Sequence, residues 1–272
     1  MANKTKIQWT DETWNIAVGC TKVDKDCQYC YMYRDSLRGT RYNPKEIKRA
    51  KTVFNKPLKI KEPSLIFTCS LTDFFHEALD LYRWEAWDII RQCPQHTFQI
   101  LTKRPERIAQ HLPDFWNEIK GRVWLGTSIG SMKGITRLYD LLESGADCLY
   151  FLSLEPLYRQ IALPLYDTYG YESLFWRNKV KDALKWVIVG GESGNSKGAY
   201  TYRPCELAWI ERIVNDCISA DIPVFVKQLG THLAKQMRLK NDRHGGNIDN
   251  FPESLRIRQF PKQYNLAINE RK

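Results

Sequence analysis

The 272-residue sequence contains no run of 18 apolar residues, and its opening Met-Ala-Asn-Lys-Thr-Lys lacks the apolar core of a secretory signal. A membrane span is therefore not expected, and the protein reads as cytoplasmic. Internal repeats and low-complexity tracts are absent too, which favours one main domain of a size at which α/β barrels still form a single unit. Acidic residues are the minority sign, 31 Asp and Glu against 41 Lys and Arg. Also missing is a second C-x2-C or a histidine pair, the usual means of closing a structural zinc site.

The basic excess is not evenly spread. Residues 34–62 hold ten Lys/Arg against three acids, a local +7, and residues 227–272 hold ten against four, a local +6. Two such segments on a folded domain suit a polyanion, because each phosphate neutralised releases counterions. A solvated surface that maintains solubility is the competing explanation.

Short apolar runs rich in β-branched and aromatic residues alternate with longer amphipathic segments. Strands are expected at 64–70, 97–102, 122–128, 148–154, 185–191 and 223–228, with 14–19 as one more strand or a loop. Helices are expected at 81–93, 104–110, 132–144 and 206–220. Near-continuous apolar strands that alternate with helices imply an α/β fold with about six parallel strands, a single-domain full or partial (β/α) barrel. The barrel would cover residues 1–230, with 158–185 as an inserted excursion and 231–272 as a basic C-terminal extension.

Active groups in such folds belong at the carboxyl ends of the strands. Several of the expected strands end in polar residues: Ser70 to Asp73, Thr102-Lys103-Arg104, Thr127-Ser128, Glu155, Glu192-Ser193 and Lys227-Gln228. Capping of the following helix would explain some of these, Thr72 and Asp73 among them. The glycine turn in "VIVGGESG" lacks the G-x-G-x-x-G order of dinucleotide sites and suits a close approach of backbone to a ligand or substrate.

Eight cysteines are present, and three of them, Cys20, Cys27 and Cys30, crowd into residues 19–33 with the spacing C-x6-C-x2-C. In a reducing compartment such a group is metal-binding or catalytic sooner than disulfide-forming. Cys69, Cys93, Cys148, Cys205 and Cys217 read instead as small buried hydrophobes. Structural zinc would need a fourth ligand, with Cys69 or His76 the first suspects. A four-iron, four-sulfur cluster held by three thiolates has the right number, since it leaves one iron open to a small chelating molecule.

At this point the sequence resembles the radical S-adenosylmethionine superfamily, in which three cysteines follow the first barrel strand and an aromatic precedes the last. Tyr29 is that aromatic here; the first spacing is six residues where three is usual. Over most of its length the chain also resembles the phage Gp37/Gp68 family. The stretches "IQWTDETWNIAVGCTKVDKDCQYCY", "FTCSLTDFFHEAL", "ILTKRPER", "VWLGTSI", "FLSLEPL", "WVIVGGESG", "FVKQLG" and "FPESLRIRQFP" carry the likeness in that order.

The superfamily resemblance implies a [4Fe-4S] cluster on Cys20, Cys27 and Cys30, S-adenosylmethionine chelated at its open iron, an external electron donor, and a 5′-deoxyadenosyl radical as the reactive species. Carried over, Tyr29 would touch the adenine, Ser70 and Asp73 the methionyl amine, and Ser128 the ribose. Glu155 and Glu192 would be further polar groups, and Lys103 or Lys227 would pair with the carboxylate. Arg104 and Arg203 are candidate substrate contacts, and Cys205 is a candidate hydrogen-atom donor. A nucleic acid or nucleotide substrate is expected, for base modification or repair. The alternatives are a nucleic-acid-binding protein with a purely structural zinc or iron–sulfur centre, and radical chemistry on a peptide or metabolite. Aromatics beside the basic segment, Tyr31, Tyr33 and Tyr42, are candidates for stacking on bases.

Overall fold

The computed structural model describes residues 5–36, 43–165 and 170–262. Along the chain, β1 (Glu12–Trp14), β2 (Ala17–Val18), α1 (Tyr31–Ser36), β3 (Lys48–Arg49), β4 (Leu65–Thr68), α2 (Asp80–Gln92), β5 (Thr97–Thr102), α3 (Trp116–Ile119) and β6 (Val123–Ser128) come first. They are followed by α4 (Thr136–Glu143), β7 (Leu149–Leu157), α5 (Gly170–Ala183), β8 (Leu184–Gly191), α6 (Leu207–Ser219), β9 (Val224–Gln228) and α7 (Gly230–Gln236). No described helix is long and apolar enough to cross a membrane.

The chain gathers into two compact units, one of Met1–Thr127 with Glu143–Leu149, the other of Ser128–Leu142 with Tyr150–Lys272. In the first, β1, β4, β5 and β6 lie side by side and parallel, with Glu12 opposite Ile66, Ile66 opposite Phe98, and Phe98 opposite Val123. In the second, β7, β8 and β9 are parallel, with Leu152 opposite Val187 and Val187 opposite Val224. Seven parallel strands in βα order make this an α/β fold of the partial (β/α)-barrel class.

Strands β4 and β6 are buried at every position, as expected for parallel strands covered on both faces. Large rings fill each unit. Trp14 meets Phe98 at 5.8 Å and Trp87 meets Trp116 at 5.6 Å in the first. In the second, Trp186 stacks on Phe260 at 5.5 Å.

The expected 14–19 strand is two short ones: β1 joins the parallel sheet, and β2 turns away to pair antiparallel with β3. The expected helix at 104–110 is instead two 3-10 turns, Pro105–Arg107 and Ala109–His111. Pro105 brings no N–H and Pro113 disfavours helix at the residue before it, so the space between holds only i→i+3 bonds such as Ile108 N–H to the Pro105 carbonyl at 3.0 Å. Within the 158–185 excursion, Ile161, Leu163, Leu165 and Val180 are buried, the last on α5. The 231–272 segment begins as α7, and its later part lines β9 through Val226 N–H to the Ile257 carbonyl at 2.9 Å and Gln259 N–H to the Val224 carbonyl at 3.0 Å.

A candidate cluster loop and two strand-end rims

The cysteine loop leaves β2 at Gly19, whose φ of +100° favours glycine. A Cβ there would run into the Glu46 carbonyl oxygen, so a side chain is excluded by contact as well. Gly19 N–H donates to the Leu71 carbonyl at 3.1 Å and Cys20 N–H to the Pro44 carbonyl at 2.9 Å, which pins the start of the loop. Asp24 caps the 3-10 turn Lys25–Cys27, accepting from Asp26 N–H at 2.8 Å, and the Cys30 carbonyl accepts from the first turn of α1. The Tyr33 hydroxyl donates to the Cys20 carbonyl and the Tyr31 hydroxyl to the Ser70 carbonyl. Tyr33 is therefore buried against the loop and closed to base stacking; Tyr31 is 41% exposed, and Tyr42 lies outside the described residues.

Behind the loop sits a network built on Asp73. Its carboxylate accepts from the Thr102 hydroxyl at 2.6 Å, Lys103 N–H at 2.9 Å, Phe75 N–H at 3.0 Å and Arg104 Nη1 at 3.2 Å. The buried Arg104 guanidinium also donates to the Thr21 hydroxyl at 2.8 Å and the Thr21 carbonyl at 3.2 Å, and its Nη1 reaches Cys20 Sγ at 4.0 Å. Thr21 in turn meets His76 Nε2 at 2.8 Å, while His76 Nδ1 accepts from Ala78 N–H at 3.1 Å. Asp73 and Arg104, expected to hold cofactor amine and substrate phosphate, thus hold each other and the first cysteine. Capping of the next turn falls to His76, not to Thr72 or Asp73.

The sequence did not single out Asn15 or Thr21 for the site, and it pointed to His76 only as a fourth zinc ligand. Asn15 Oδ1 accepts from Leu71 N–H at 2.7 Å and its amide donates to Ser70 Oγ at 3.0 Å, so it joins the ends of β1 and β4 beside the loop. A polar residue directly after Trp14 and five before the first cysteine is the signal that could have found it.

All three loop cysteines are free thiols, neither fully buried nor exposed. Burial pushes the Cys20 thiol up to about 12, with the Asp73 charge adding and the Arg104 charge opposing. Burial also raises Cys30, against the pull of the Lys103 ammonium. Thiols placed this way ionise when a metal replaces the proton. Two cations act on the sulfurs, Arg104 in contact with Cys20 and Lys103 through its charge on Cys30, which suits a sulfur-rich anionic centre such as [4Fe-4S]. Among the described residues, no three His, Cys, Asp or Glu side chains are drawn together as a ready-made metal site. The suspects for a fourth protein ligand are otherwise engaged: Cys69 is buried at the end of β4 and both His76 ring nitrogens have partners. The donor set therefore fits a three-thiolate cluster better than a closed zinc site.

The second unit carries its own strand-end groups. Ser128 Oγ donates to the Glu155 carbonyl at 2.9 Å, and Arg137 Nη1 donates to the Ser128 carbonyl at 2.6 Å. Lys227 Nζ lies 2.7 Å from both carboxylate oxygens of Glu155. Glu192 is gripped by Arg203 through its backbone N–H at 2.8 Å, Nε at 2.8 Å and Nη2 at 2.6 Å. The Arg203 guanidinium lies 3.5 Å from the Tyr158 ring centroid. Lys227 and Arg203 are thus paired within the chain. The glycine turn has an internal cause too: a Cβ on Gly191 would run into the Leu229 carbonyl oxygen, so backbone meets backbone where a ligand's approach was expected. Cys205 is fully buried, its thiol pushed up to about 12 by that burial, which fits a packing role.

A family model described as protein of unknown function (DUF5131) matches residues 4–253. The chain belongs to that family. No curated protein matches this DUF5131 member. Among solved structures it is similar to a double mutant of spore photoproduct lyase with bound AdoMet and dinucleoside spore photoproduct, at 17% identity and a TM-score of 0.48, covering 69% of this chain and 58% of that one. A single mutant of the same lyase with dinucleoside spore photoproduct matches at 16% identity and a TM-score of 0.42, over 65% and 54% of the two chains. The DUF5131 chain thus aligns with little more than half the length of those solved chains.

Proposed function

We propose that this protein is a radical S-adenosylmethionine enzyme that modifies or repairs a base in nucleic acid or a nucleotide. The observation that carries the reading is the loop of three half-buried free thiols with the Arg104 guanidinium against the first of them. Cys20, Cys27 and Cys30 would hold a [4Fe-4S] cluster, leaving one iron for the amino and carboxylate groups of S-adenosylmethionine. Once reduced by an external donor, that centre supplies the one-electron cleavage of the sulfonium. The phage Gp37/Gp68 likeness of the eight ordered stretches belongs to the same proposal.

The protein's own share is positioning. Gly19, Pro44 and Tyr33 fix the backbone on either side of Cys20, and Arg104, held by Asp73 and Thr21, fixes the direction from which positive charge meets its sulfur. Tyr29, half-buried between the second and third cysteines, is the ring proposed to lie against the adenine. Ser70, held by Asn15 and close to α1, is the polar group proposed to meet the methionyl amine. Ser128, Glu155, Glu192 and Lys227 are the further polar groups proposed for the cofactor. The basic segments at 34–62 and 227–272 favour a polyanionic substrate over a peptide or neutral metabolite.

Anaerobic reconstitution tests the reading. About four iron and four sulfide per chain, a visible spectrum perturbed by S-adenosylmethionine, and 5′-deoxyadenosine on reduction are expected. Bound zinc with no response to S-adenosylmethionine would overturn it and favour a binding module with a structural centre.

A further inference from the structure

The second unit holds an open groove of about 670 Å³ lined by Met132, Lys133, Tyr158, Arg159, Gln160 and Trp209, among others. Its walls come from three places: the turn that precedes α4, the chain after β7, and the first turn of α6. Among the described residues, no carboxylate lines it. Lys133 and Arg159 are exposed, and among the described residues neither is ion-paired. Met132 is 43% exposed with its sulfur accepting from Ala162 N–H at 3.3 Å, so it forms floor and not loose surface. The aromatic wall is fixed. The Tyr158 hydroxyl meets the buried Ser131 at 3.2 Å, and its ring carries Arg203, itself gripped by Glu192 just past the end of β8. Trp209 is the second ring of the lining, its backbone N–H bonded to the Glu206 carbonyl at 3.1 Å.

We propose that this groove seats a single-stranded segment of nucleic acid, with a base against Trp209 and flanking phosphates on Lys133 and Arg159. Two properties select that occupant. Aromatic faces accept bases that are already unstacked, which a duplex does not offer, and two exposed cations in a lining whose described residues include no acid complement a phosphodiester chain. The Glu192–Arg203–Tyr158 series ties the groove's aromatic wall to the end of β8. The inference rests on the nucleic-acid reading of the substrate and gives it a docking surface.

The test uses the reconstituted full-length chain and a fluorescein-labelled 12-nucleotide single strand, in DNA and RNA form, followed by anisotropy across a salt series. Trp209→Ala is expected to weaken binding about tenfold, and Trp209→Phe to restore most of it. Lys133→Ala with Arg159→Ala should weaken binding and reduce the salt slope by about 1.4, at about 0.7 for each phosphate no longer neutralised. Circular dichroism that overlays the parent's separates these effects from misfolding. Unchanged affinity in both variants, or binding of the matching duplex as tightly as the single strand, overturns the proposal. Failure of cluster assembly with intact, Trp209-dependent strand binding would sink the enzyme reading and leave the groove standing.

Discussion

The two rims of strand ends are made of the same residue types and use them differently. In the first unit, the acid and base at the ends of β4 and β5, Asp73 and Arg104, are buried and turned inward, and through Thr21 and Cys20 they brace the thiol loop. In the second, the pairs Glu155–Lys227 and Glu192–Arg203 close on themselves without any thiol in the arrangement; Lys227 keeps about a quarter of its side chain in solvent, and Arg203 lies along Tyr158. One rim is organised around a loop of three thiols, the other around charge neutralisation. A polar residue at a strand end therefore marks the active edge of such a fold without saying whether it meets a ligand or holds its neighbours.

Substitution can break that contrast. The largest effect is expected for Cys20→Ala, Cys27→Ala or Cys30→Ala, each lowering bound iron from about four per chain to a small remainder, whereas Glu155→Gln should leave iron content unchanged; iron and sulfide analysis of reconstituted protein checks both. Next comes Asp73→Ala, which strands the buried Arg104 charge and should cost about 3–5 kcal/mol in urea denaturation. Lys227→Met, at the half-buried pair of the second rim, should cost about 1 kcal/mol in the same assay. A near-equal loss for the last two would mean that the first rim is no more deeply organised than the second.

The smallest effect is on pH dependence and belongs to the first unit. Burial holds His76 and His96 below the ordinary imidazole value, and at His76 the Arg104 charge adds to it. His96 Nδ1 has no partner, so a proton added there would be buried without an acceptor. As pH falls through about 6.5 the unfolded chain takes up protons that the folded chain refuses, so stability should decline from there downward. Denaturation midpoints at about pH 7.5 and 5.5, on either side of that value, check the sign, and His96→Gln should flatten the difference.

Much of the first rim was legible because chain neighbours carry it. Three cysteines within eleven residues announce themselves, and β5, β6 and α2 follow from apolar patterning to within a residue or so at each end. What stayed hidden depends on contacts across long stretches of sequence. Asp73 meets Arg104 over 31 positions, Lys227 meets Glu155 over 72, and nothing local distinguishes these charges from groups reserved for a ligand. The helix expected at 104–110 failed for a local reason that was visible, Pro105 and Pro113. The glycines of the 190–191 turn misled because backbone packed on backbone calls for the same residue as backbone against a cofactor.

The small ribbon of β2 and β3 couples two features that the sequence presents as separate. Val18 pairs with Lys48 and Ala17 with Arg49, while the preceding turn of the basic segment supplies the Pro44 carbonyl to Cys20 N–H and the Glu46 carbonyl against Gly19. Cationic strap and thiol loop therefore form one mechanical piece, anchored where Arg49 meets Glu85 on α2 at 2.6 Å. A polyanion that grips Lys45, Lys48 or Lys51 would stiffen the floor on which Cys20 rests, so that its binding and the order of the thiol loop rise together.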